Sequence, residues 1–260
     1  MLHPDRVALR TAEEIAGIGA ACAVVHDVLD EISALVAPGL TTGEIDRLAA
    51  ARLAERGALP AFLGYHGYPA TICVSVNEQV VHGIPSPRQV LRDGDLVSLD
   101  FGAVLDGWYG DAAVTVPVGR ASPEALRLVE TTREALALAV AAARPGNRLG
   151  DLGAAVQRHV EARGYSVVRD FVGHGIGRQL HEPPQIPNFG IPGTGLLLRP
   201  GMVLAIEPMV NAGGPEVDVL GDGWTAVTAD GRLSAHFEHT VAITGDGPQI
   251  LGAEGVRSRS

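Results

Sequence analysis

The chain has 260 residues, of which 46% are hydrophobic and 19% charged, so wholesale disorder is excluded and a sizeable core is expected. Its formal net charge of -10 argues against a basic surface for nucleic acid or anionic membranes, and it permits a carboxylate-rich metal site. All 20 basic residues are arginine, which excludes Schiff-base chemistry and a phosphate-loop lysine.

Cellular location is constrained by what the chain contains. Two cysteines, Cys22 and Cys73, are too few for a disulfide framework, which favours a reducing compartment. The early apolar run at 15–25 lacks the flanks of a signal peptide, and no run is long enough to span a membrane. We therefore expect a cytoplasmic protein.

The predicted elements form two similar series of helices followed by strands. Helices are predicted from capping boxes, an N-cap followed by proline, and terminal glycines, and strands from apolar runs. The pattern predicts an α+β fold in which helices cover one side of an antiparallel sheet. The helices should run from Thr11 toward Pro38, from Thr41 to Gly57 and from Ser122 to Pro145, and a further helix should end at Gly164. Strands are expected near 72–81, 96–104, 109–118, 202–206 and 233–243.

An internal repeat relates the two series. Pro38-Gly39 matches Pro145-Gly146 at an offset of 107 residues, and the stretch 91–100 (LRDGDLVSLD) matches 198–207 (LRPGMVLAIE) at the same offset. Two separated matches at one offset indicate a duplicated half-domain. We expect a single domain, 1–260, with half-repeats at 11–120 and 121–250.

Four carboxylates occupy related places in the two halves. Asp100 and Glu207 are each predicted to end an apolar strand. A carboxylate buried there without a partner would cost free energy. Asp106-Gly107 indicates a two-residue hairpin loop, which would put Asp111 diagonally across from Asp100 on one face. Alternatively, Asp111 could be an ordinary turn residue after Gly110.

The second half supplies the fourth carboxylate. Residues 233–243 alternate, so His236, Glu238 and Thr240 should share one face of a strand. The sequence around Glu238 resembles that around Asp111 at an offset of 127 residues, which is consistent with an insertion near Asp222-Gly223.

Three histidines lie in loops rich in glycine or proline. His174 lies between glycines, and a lone histidine there would more often be structural, but four converging carboxylates favour a metal ligand. Carboxylates with one imidazole suit Mn, Fe, Co or Zn, and a two-metal site can hold a hydroxide. His82 and His181 lie in loops of the kind where functional groups concentrate, and each could also be a surface histidine.

With these residues in place, the chain resembles the type I methionine aminopeptidases over roughly residues 5–250. The resemblance implies the pita-bread fold, with two halves related by a pseudo-twofold axis, and removal of N-terminal methionine when the second residue is small. The stretches that carry it are LGYHGYPATICVSVNEQVVHGIP (63–85), DGDLVSLDFGAVLDGWYGDAA (93–113), GHGIGRQLHEPPQIPNFG (173–190), GMVLAIEPM (201–209) and DGWTAVTADGRLSAHFEHTVAIT (222–244).

The resemblance also implies roles for individual residues and two divalent metal ions (Co, Mn, Fe or Zn). His82, His181 and Glu207 would be catalytic, with Glu207 able to take the water proton. The metal ligands would be Asp100 on one ion, Asp111 and Glu238 on both, and His174 and Glu207 on the second. The pocket for the substrate would include Tyr65, His66, Tyr68, Cys73, His82, His181 and Trp224, although the tyrosines, Cys73 and Trp224 are also compatible with plain core packing.

Three positions depart from the commonest pattern of the family. Leu180 stands where an aromatic residue is frequent, Phe62 where a smaller residue is common, and His236 where glutamine is common. These differences concern pocket preference and rate rather than the reaction.

Two alternatives belong to other functional classes. A proline-directed aminopeptidase of the same fold usually carries an added N-terminal domain, whereas here the repeat begins near residue 11. A non-catalytic binding protein of this fold would tend to lose ligands, and all five remain. We expect a monomer acting on peptides and nascent proteins. Its substrate makes ribosome contact plausible, although the acidic charge indicates no basic patch.

Overall fold

The computed structural model describes residues 7–253. Within that range, no helix combines the length and the apolar character that crossing a membrane would require. The predicted helix starts are confirmed: the side chains of Thr11 and Thr41 cap their helices in reciprocal capping boxes, and Ser122 caps the third helix ahead of Pro123. The helices are α1 (Ala12–Leu35), α2 (Thr42–Glu55), α3 (Pro123–Ala142) and α4 (Leu149–Glu161).

The described residues form fifteen strands, and every strand pairing is antiparallel. A short 3-10 helix, Tyr65–Gly67, lies between the first two. The strands are β1 (Leu59–Pro60), β2 (Cys73–Val76), β3 (Gln79–Val81), β4 (Leu96–Leu105), β5 (Trp108–Pro117), β6 (Ser166–Val167), β7 (Gly173–Gly175), β8 (Glu182–Ile186), β9 (Val203–Ile206), β10 (Met209–Asn211), β11 (Val217–Val219), β12 (Ala226–Thr228), β13 (Ser234–His236), β14 (Glu238–Thr244) and β15 (Gly247–Ile250).

The central sheet joins both parts of the chain. Its path runs β1-β4-β5-β14-β9-β7-β8, with β2 paired to β4 and β15 paired to β14. Two three-stranded sheets, β13-β10-β6 and β11-β12-β3, complete the structure. α1 packs on β4 and β5, whereas α3 packs on α4 and also contacts β5 and β14. Antiparallel strands with packed helices confirm the predicted α+β class.

The β4–β5 hairpin has the predicted two-residue loop. Asp106 and Gly107 both have positive φ, 50° and 74°, as a type I′ turn requires. The register therefore pairs Leu105 with Trp108 and Gly102 with Asp111. This register puts Asp111 on the same face as Asp100.

Two sequence predictions about strands were wrong. Asp100 lies in the middle of β4 rather than at its end, because the strand continues to the turn at Asp106. The single strand expected at 233–243 is divided at Phe237, because β13 pairs with β10 whereas β14 pairs with β5 and β9.

Positions related by the 107-residue offset have similar conformations. Gly39 and Gly146 have φ of 94° and 91°, and isolated bridges join Thr41 to Val90 and Arg148 to Leu197 at equivalent places. Equal backbone geometry at equivalent positions is what a duplicated unit would produce. The division into two half-repeats of one domain stays a prediction.

Candidate metal centre and active site

Five ionisable side chains come from five consecutive strands of the central sheet. β4 carries Asp100, β5 carries Asp111, β14 begins with Glu238, Glu207 directly follows β9, and β7 carries His174. The five residues predicted as metal ligands are therefore neighbours across one sheet.

Strand register explains why three of the carboxylates converge. Ala113 of β5 pairs with Asp100 on one side and with Glu238 on the other. Directly paired residues point to the same face, and Asp111 shares that face because it lies two residues before Ala113. The small side chain of Ala113 leaves room between the carboxylates.

Interatomic distances bring three of these side chains together and place Glu207 beside His174. One ligand atom each from Asp111, His174 and Glu238 lie within 4.8 Å of one another. Nε2 of His174 is 4.0 Å from Oδ2 of Asp111 and 3.5 Å from Oε1 of Glu207. A second imidazole, that of His236, has its Nε2 at 3.7 Å from Oε2 of Glu207.

The carboxylates lack partners within the described residues. Oδ1 of Asp100, Oδ1 of Asp111 and Oε1 of Glu238 are buried and accept no hydrogen bond, and none of the ion pairs found brings an arginine to them. A buried acceptor without a partner costs about 1–3 kcal/mol, and more if it is charged. Oxygen atoms grouped in this way with one imidazole suit divalent cations such as Mn²⁺, Co²⁺ or Zn²⁺.

Burial and mutual repulsion alter the protonation of the group. Burial raises the pKa of Asp100 to about 7. The pKa values of Asp111, Glu207 and Glu238 are raised well above their usual range, by burial first and by the neighbouring carboxylates second. Burial lowers the pKa of His174 to about 3, so its imidazole is neutral at pH 7, the form that binds a metal.

A hydrogen bond to the backbone orients the His174 ring. Its Nδ1 lies 2.9 Å from the carbonyl oxygen of Gly175, to which it donates a hydrogen bond. That bond fixes the tautomer and leaves Nε2 as the free lone pair facing Asp111 and Glu207. The arrangement is typical of a histidine that binds a metal.

A cavity of about 150 Å³ opens beside this group. It contains all five candidate ligands and six of the seven residues predicted for the substrate pocket. Tyr68 is fixed by donating from its hydroxyl to the carbonyl of Gly83 at 3.0 Å. The lining is made by Phe62, Tyr65, Tyr68, Cys73, His82, Asp100, Asp111, His174, Leu180, His181, Glu207, Trp224 and Glu238.

His66 is the predicted pocket residue that does not line the cavity. Its backbone has a φ of 48°, and its ring contacts that of Tyr65 edge-on, with centroids 4.4 Å apart. Conversely, Phe62 and Leu180 line the cavity but were not in the predicted substrate set. Their departure from the commonest family pattern was the signal that connected both residues with the pocket.

The two loop histidines occupy different walls of the cavity. His181 has Nδ1 at 2.7 Å from the hydroxyl of Tyr65, and its ring centroid is 4.1 Å from that of His174. His82 packs edge-on against Phe171 and Trp224, and burial lowers its pKa to about 4. Both imidazoles therefore face the cavity in their neutral form at pH 7, because burial also lowers the pKa of His181.

Comparison with known proteins shows similarity along nearly the whole chain. The model of metallopeptidase family M24 matches residues 16–245. Methionine aminopeptidase 1 of Mycobacterium tuberculosis is 52% identical over 248 residues, which are 93% of either chain. Methionine aminopeptidase of Clostridium perfringens is 50% identical over 245 residues, 94% of this chain and 98% of the relative.

A solved structure shares the same architecture. The crystal structure of methionine aminopeptidase from Thermotoga maritima matches with a TM-score of 0.94 and 49% identity, covering 95% of this chain and 99% of that one. The predicted pita-bread fold is thereby confirmed.

Proposed function

We propose that this protein hydrolyses the N-terminal methionine from peptides and nascent proteins, because the chain belongs to metallopeptidase family M24 and, within it, to the methionine aminopeptidases. The observation that carries the proposal is the convergence of five candidate ligands from adjacent strands beside a largely apolar cavity. A peptide bond held there would have the candidate metal ligands on one side and a pocket for the substrate side chain on the other.

Two divalent ions (Co, Mn, Fe or Zn) would be held by these five side chains. In the proposed assignment, Asp100 binds one ion, His174 and Glu207 the other, and Asp111 and Glu238 both. The unpartnered oxygens of Asp100, Asp111 and Glu238 support this assignment. When bound, the ions would supply Lewis acidity at the scissile carbonyl and make a water acidic near neutral pH.

The cavity would receive the methionine side chain. Tyr68, Cys73 and Trp224 offer an apolar wall, and the pKa of the Cys73 thiol is raised far above its usual value by burial, so it stays protonated and inert. Tyr65 and His66, together with His82 and His181, complete the proposed substrate-binding set, and the His66 ring contacts that of Tyr65.

His181 would stabilise negative charge on the carbonyl oxygen. In the proposed arrangement the Tyr65 hydroxyl donates to Nδ1 of His181, which puts the proton of the neutral imidazole on Nε2 and makes Nε2 a donor toward the cavity. Burial raises the pKa of Tyr65, so the hydroxyl keeps its proton at pH 7. His82 would contact the scissile amide, and Glu207 would accept the proton of the attacking water.

The wider setting belongs to the same proposal. We expect a monomer of one catalytic domain that acts in the cytoplasm, near the ribosome where new N-termini emerge. Both described cysteines are free and buried, which is compatible with a reducing compartment.

The test uses the unsubstituted chain and Asp111→Asn on Met-Ala-Ser, Met-Leu-Ser and Ala-Pro-Ser peptides, after reconstitution with each metal in turn. We expect rapid cleavage of Met-Ala-Ser and slower cleavage of Met-Leu-Ser, because cleavage should fall as the second residue grows. The variant should lose metal and activity together. Near-normal turnover of Asp111→Asn with full metal content would refute the ligand assignment. Preferred cleavage of Ala-Pro-Ser would favour a proline-directed enzyme instead.

A further inference from the structure

The turn that carries His181, residues 177–182, lies at the mouth of the catalytic cavity. His181 is an exposed residue, as are Arg178 and Gln179 earlier in the turn. The imidazole of His181 has one hydrogen bond to the described residues, its Nδ1 lying 2.7 Å from the Tyr65 hydroxyl. The direction of the ring therefore depends on how firmly the backbone of this turn is held.

The carboxylate of Glu182, the next residue, closes the turn. Its Oε1 accepts a hydrogen bond from the backbone N–H of Arg178 at 2.7 Å and another from that of Gln179 at 3.1 Å. Side-chain bonds of this local kind fix the path of the chain between the donor and the acceptor. His181 lies between them in the sequence, so the bonds fix the backbone that carries the imidazole.

Arg10 holds the other oxygen of this carboxylate. Nη2 of Arg10 lies 2.5 Å from Oε2 of Glu182, and only 12% and 13% of the two side chains are exposed. A charge-assisted hydrogen bond between groups so little exposed is stronger and less screened by salt than a surface ion pair. Arg10 is itself anchored, because its backbone N–H donates to the carbonyl oxygen of Gly201 at 2.7 Å.

Further contacts attach the turn to its neighbours. A Cβ on Gly177 would lie 2.4 Å from Nη2 of Arg10, so the guanidinium packs directly on the backbone where the turn begins. The carbonyl of Gly177 accepts from the backbone N–H of Tyr109 at 2.9 Å, and Nη1 of Arg178 donates to the carbonyl of Gly107 at 3.1 Å. The turn is therefore tied to the β4–β5 hairpin as well as to the segment before α1.

We propose that Glu182, held by Arg10, is a positioning residue that fixes the turn so that the His181 imidazole faces the metal centre. Arg10 and Glu182 lie outside the described lining of the catalytic cavity, so they would act through His181 and not on the substrate. A displacement of about 1 Å at a reacting group can lower a rate about 10²-fold. The proposal rests on the proposed function, because it concerns the role given there to His181.

The kinetic test compares Glu182→Ala with the unsubstituted chain on Met-Ala-Ser, both loaded with the same metal. We expect kcat to fall about tenfold, with KM and bound metal nearly unchanged, because Glu182 belongs neither to the substrate pocket nor to the candidate ligands. In the His181→Ala background the same substitution should change kcat by less than about twofold, since a residue that acts through the ring has no effect once the ring is gone. An equal fall in both backgrounds would overturn the proposal.

Glu124→Ala is the matched control, because Glu124 also accepts from an arginine, Nη2 of Arg232 at 3.0 Å, but at the surface. It should leave kcat unchanged. If Glu182→Ala fails to fold, Arg10→Met replaces it, since this change removes the ionic partner and leaves both backbone bonds of Glu182. Arg10→Met should lower kcat, and Arg10→Lys, which keeps the charge, should recover part of the loss. A kcat in Arg10→Met equal to that of the unsubstituted chain would then overturn the proposal.

A spectroscopic measurement separates this proposal from the proposed function. In the chain labelled with ¹⁵N-histidine and loaded with Zn²⁺, the Nδ1 resonance of His181 is identified by its loss in His181→Ala. We expect Glu182→Ala to shift this resonance in the same direction as Tyr65→Phe, because each change weakens the hydrogen bond between Tyr65 and His181. An unmoved resonance would overturn the positioning role even in a chain that cleaves Met-Ala-Ser. If no metal supports cleavage, the proposed function fails, and a shifted resonance would still support the positioning of the ring by Glu182.

Discussion

The imidazole of His181 is oriented by a single described hydrogen bond, that to Tyr65 at 2.7 Å. We predict that His181→Ala keeps its metal and lowers kcat about 10²-fold, because the donor to the developing oxyanion is lost. Tyr65→Phe removes the hydroxyl alone and should lower kcat by no more than about tenfold. Steady-state kinetics on Met-Ala-Ser with parallel metal analysis measures both. An unchanged kcat in His181→Ala would eliminate the proposed role.

At this scale, prediction from sequence succeeded where local rules apply. Asp111 could be placed beside Asp100 because a two-residue loop at Asp106-Gly107 fixes the register of the whole hairpin. The bond between Tyr65 and His181 could not be predicted, since it joins residues 116 positions apart in the sequence. The position of His66 outside the cavity depends on a positive φ, which cannot be predicted from the residue type.

Two glycines of α1 provide a matched pair at the scale of the element. A Cβ on Gly17 would lie 2.5 Å from the indole of Trp108, whereas a Cβ on Gly19 would meet nothing within 4 Å. The indole cannot easily withdraw, because the Arg178 guanidinium lies 3.5 Å from its ring centroid. Gly17→Ala should therefore lower the free energy of unfolding by about 1–3 kcal/mol.

Gly19→Ala should raise the free energy of unfolding by up to about 1 kcal/mol, because alanine is the better helix former and no clash opposes its methyl group. Urea unfolding of the two metal-loaded variants, fitted with a common m-value, provides the comparison. Equal stability of the two variants would show that the packing of α1 on Trp108 tolerates a methyl group.

Elements were predictable where their ends carry signals and unpredictable where they do not. Thr11, Thr41 and Ser122 mark helix starts by side-chain hydrogen bonds that follow from sequence alone. The break at Phe237 had no such signal. Polar and apolar residues alternate straight through it, and only the change of partner strand, from β10 to β5 and β9, ends one strand and begins the next.

For the molecule as a whole, the buried carboxylates make stability depend on pH when metal is removed. Burial raises the pKa of Asp100 to about 7 in the folded state from its ordinary value of 3.8, so the native state binds this proton more tightly than the unfolded state does. Its ionisation therefore destabilises the metal-free fold above pH 7, and that cost falls away as the pH decreases from 7 toward 4.

We predict that, when a chelator has removed the metal, Asp100→Asn raises the free energy of unfolding at pH 8. This difference from the unsubstituted chain should be smaller at pH 5. Comparing both chains at each pH cancels the contribution of the buried histidines. Asp218→Asn, at an exposed position, is the control and should show no such difference between the two pH values. With metal present the sign should reverse, because the ions stabilise the chain that binds them. A gain that is equal at pH 8 and pH 5 would contradict the raised pKa.

The ladder between β5 and β14 has one further consequence. It pairs Glu238 with Ala113 and His239 with Ala112, and it joins strands from the earlier and later parts of the chain at the place where the candidate ligands meet. The earlier part supplies Asp100 and Asp111, and the later part supplies the other three. Neither part alone offers enough ligands for two ions, so the uptake of metal would report that β5 and β14 have paired. A folding experiment could therefore follow assembly of the molecule through its metal content.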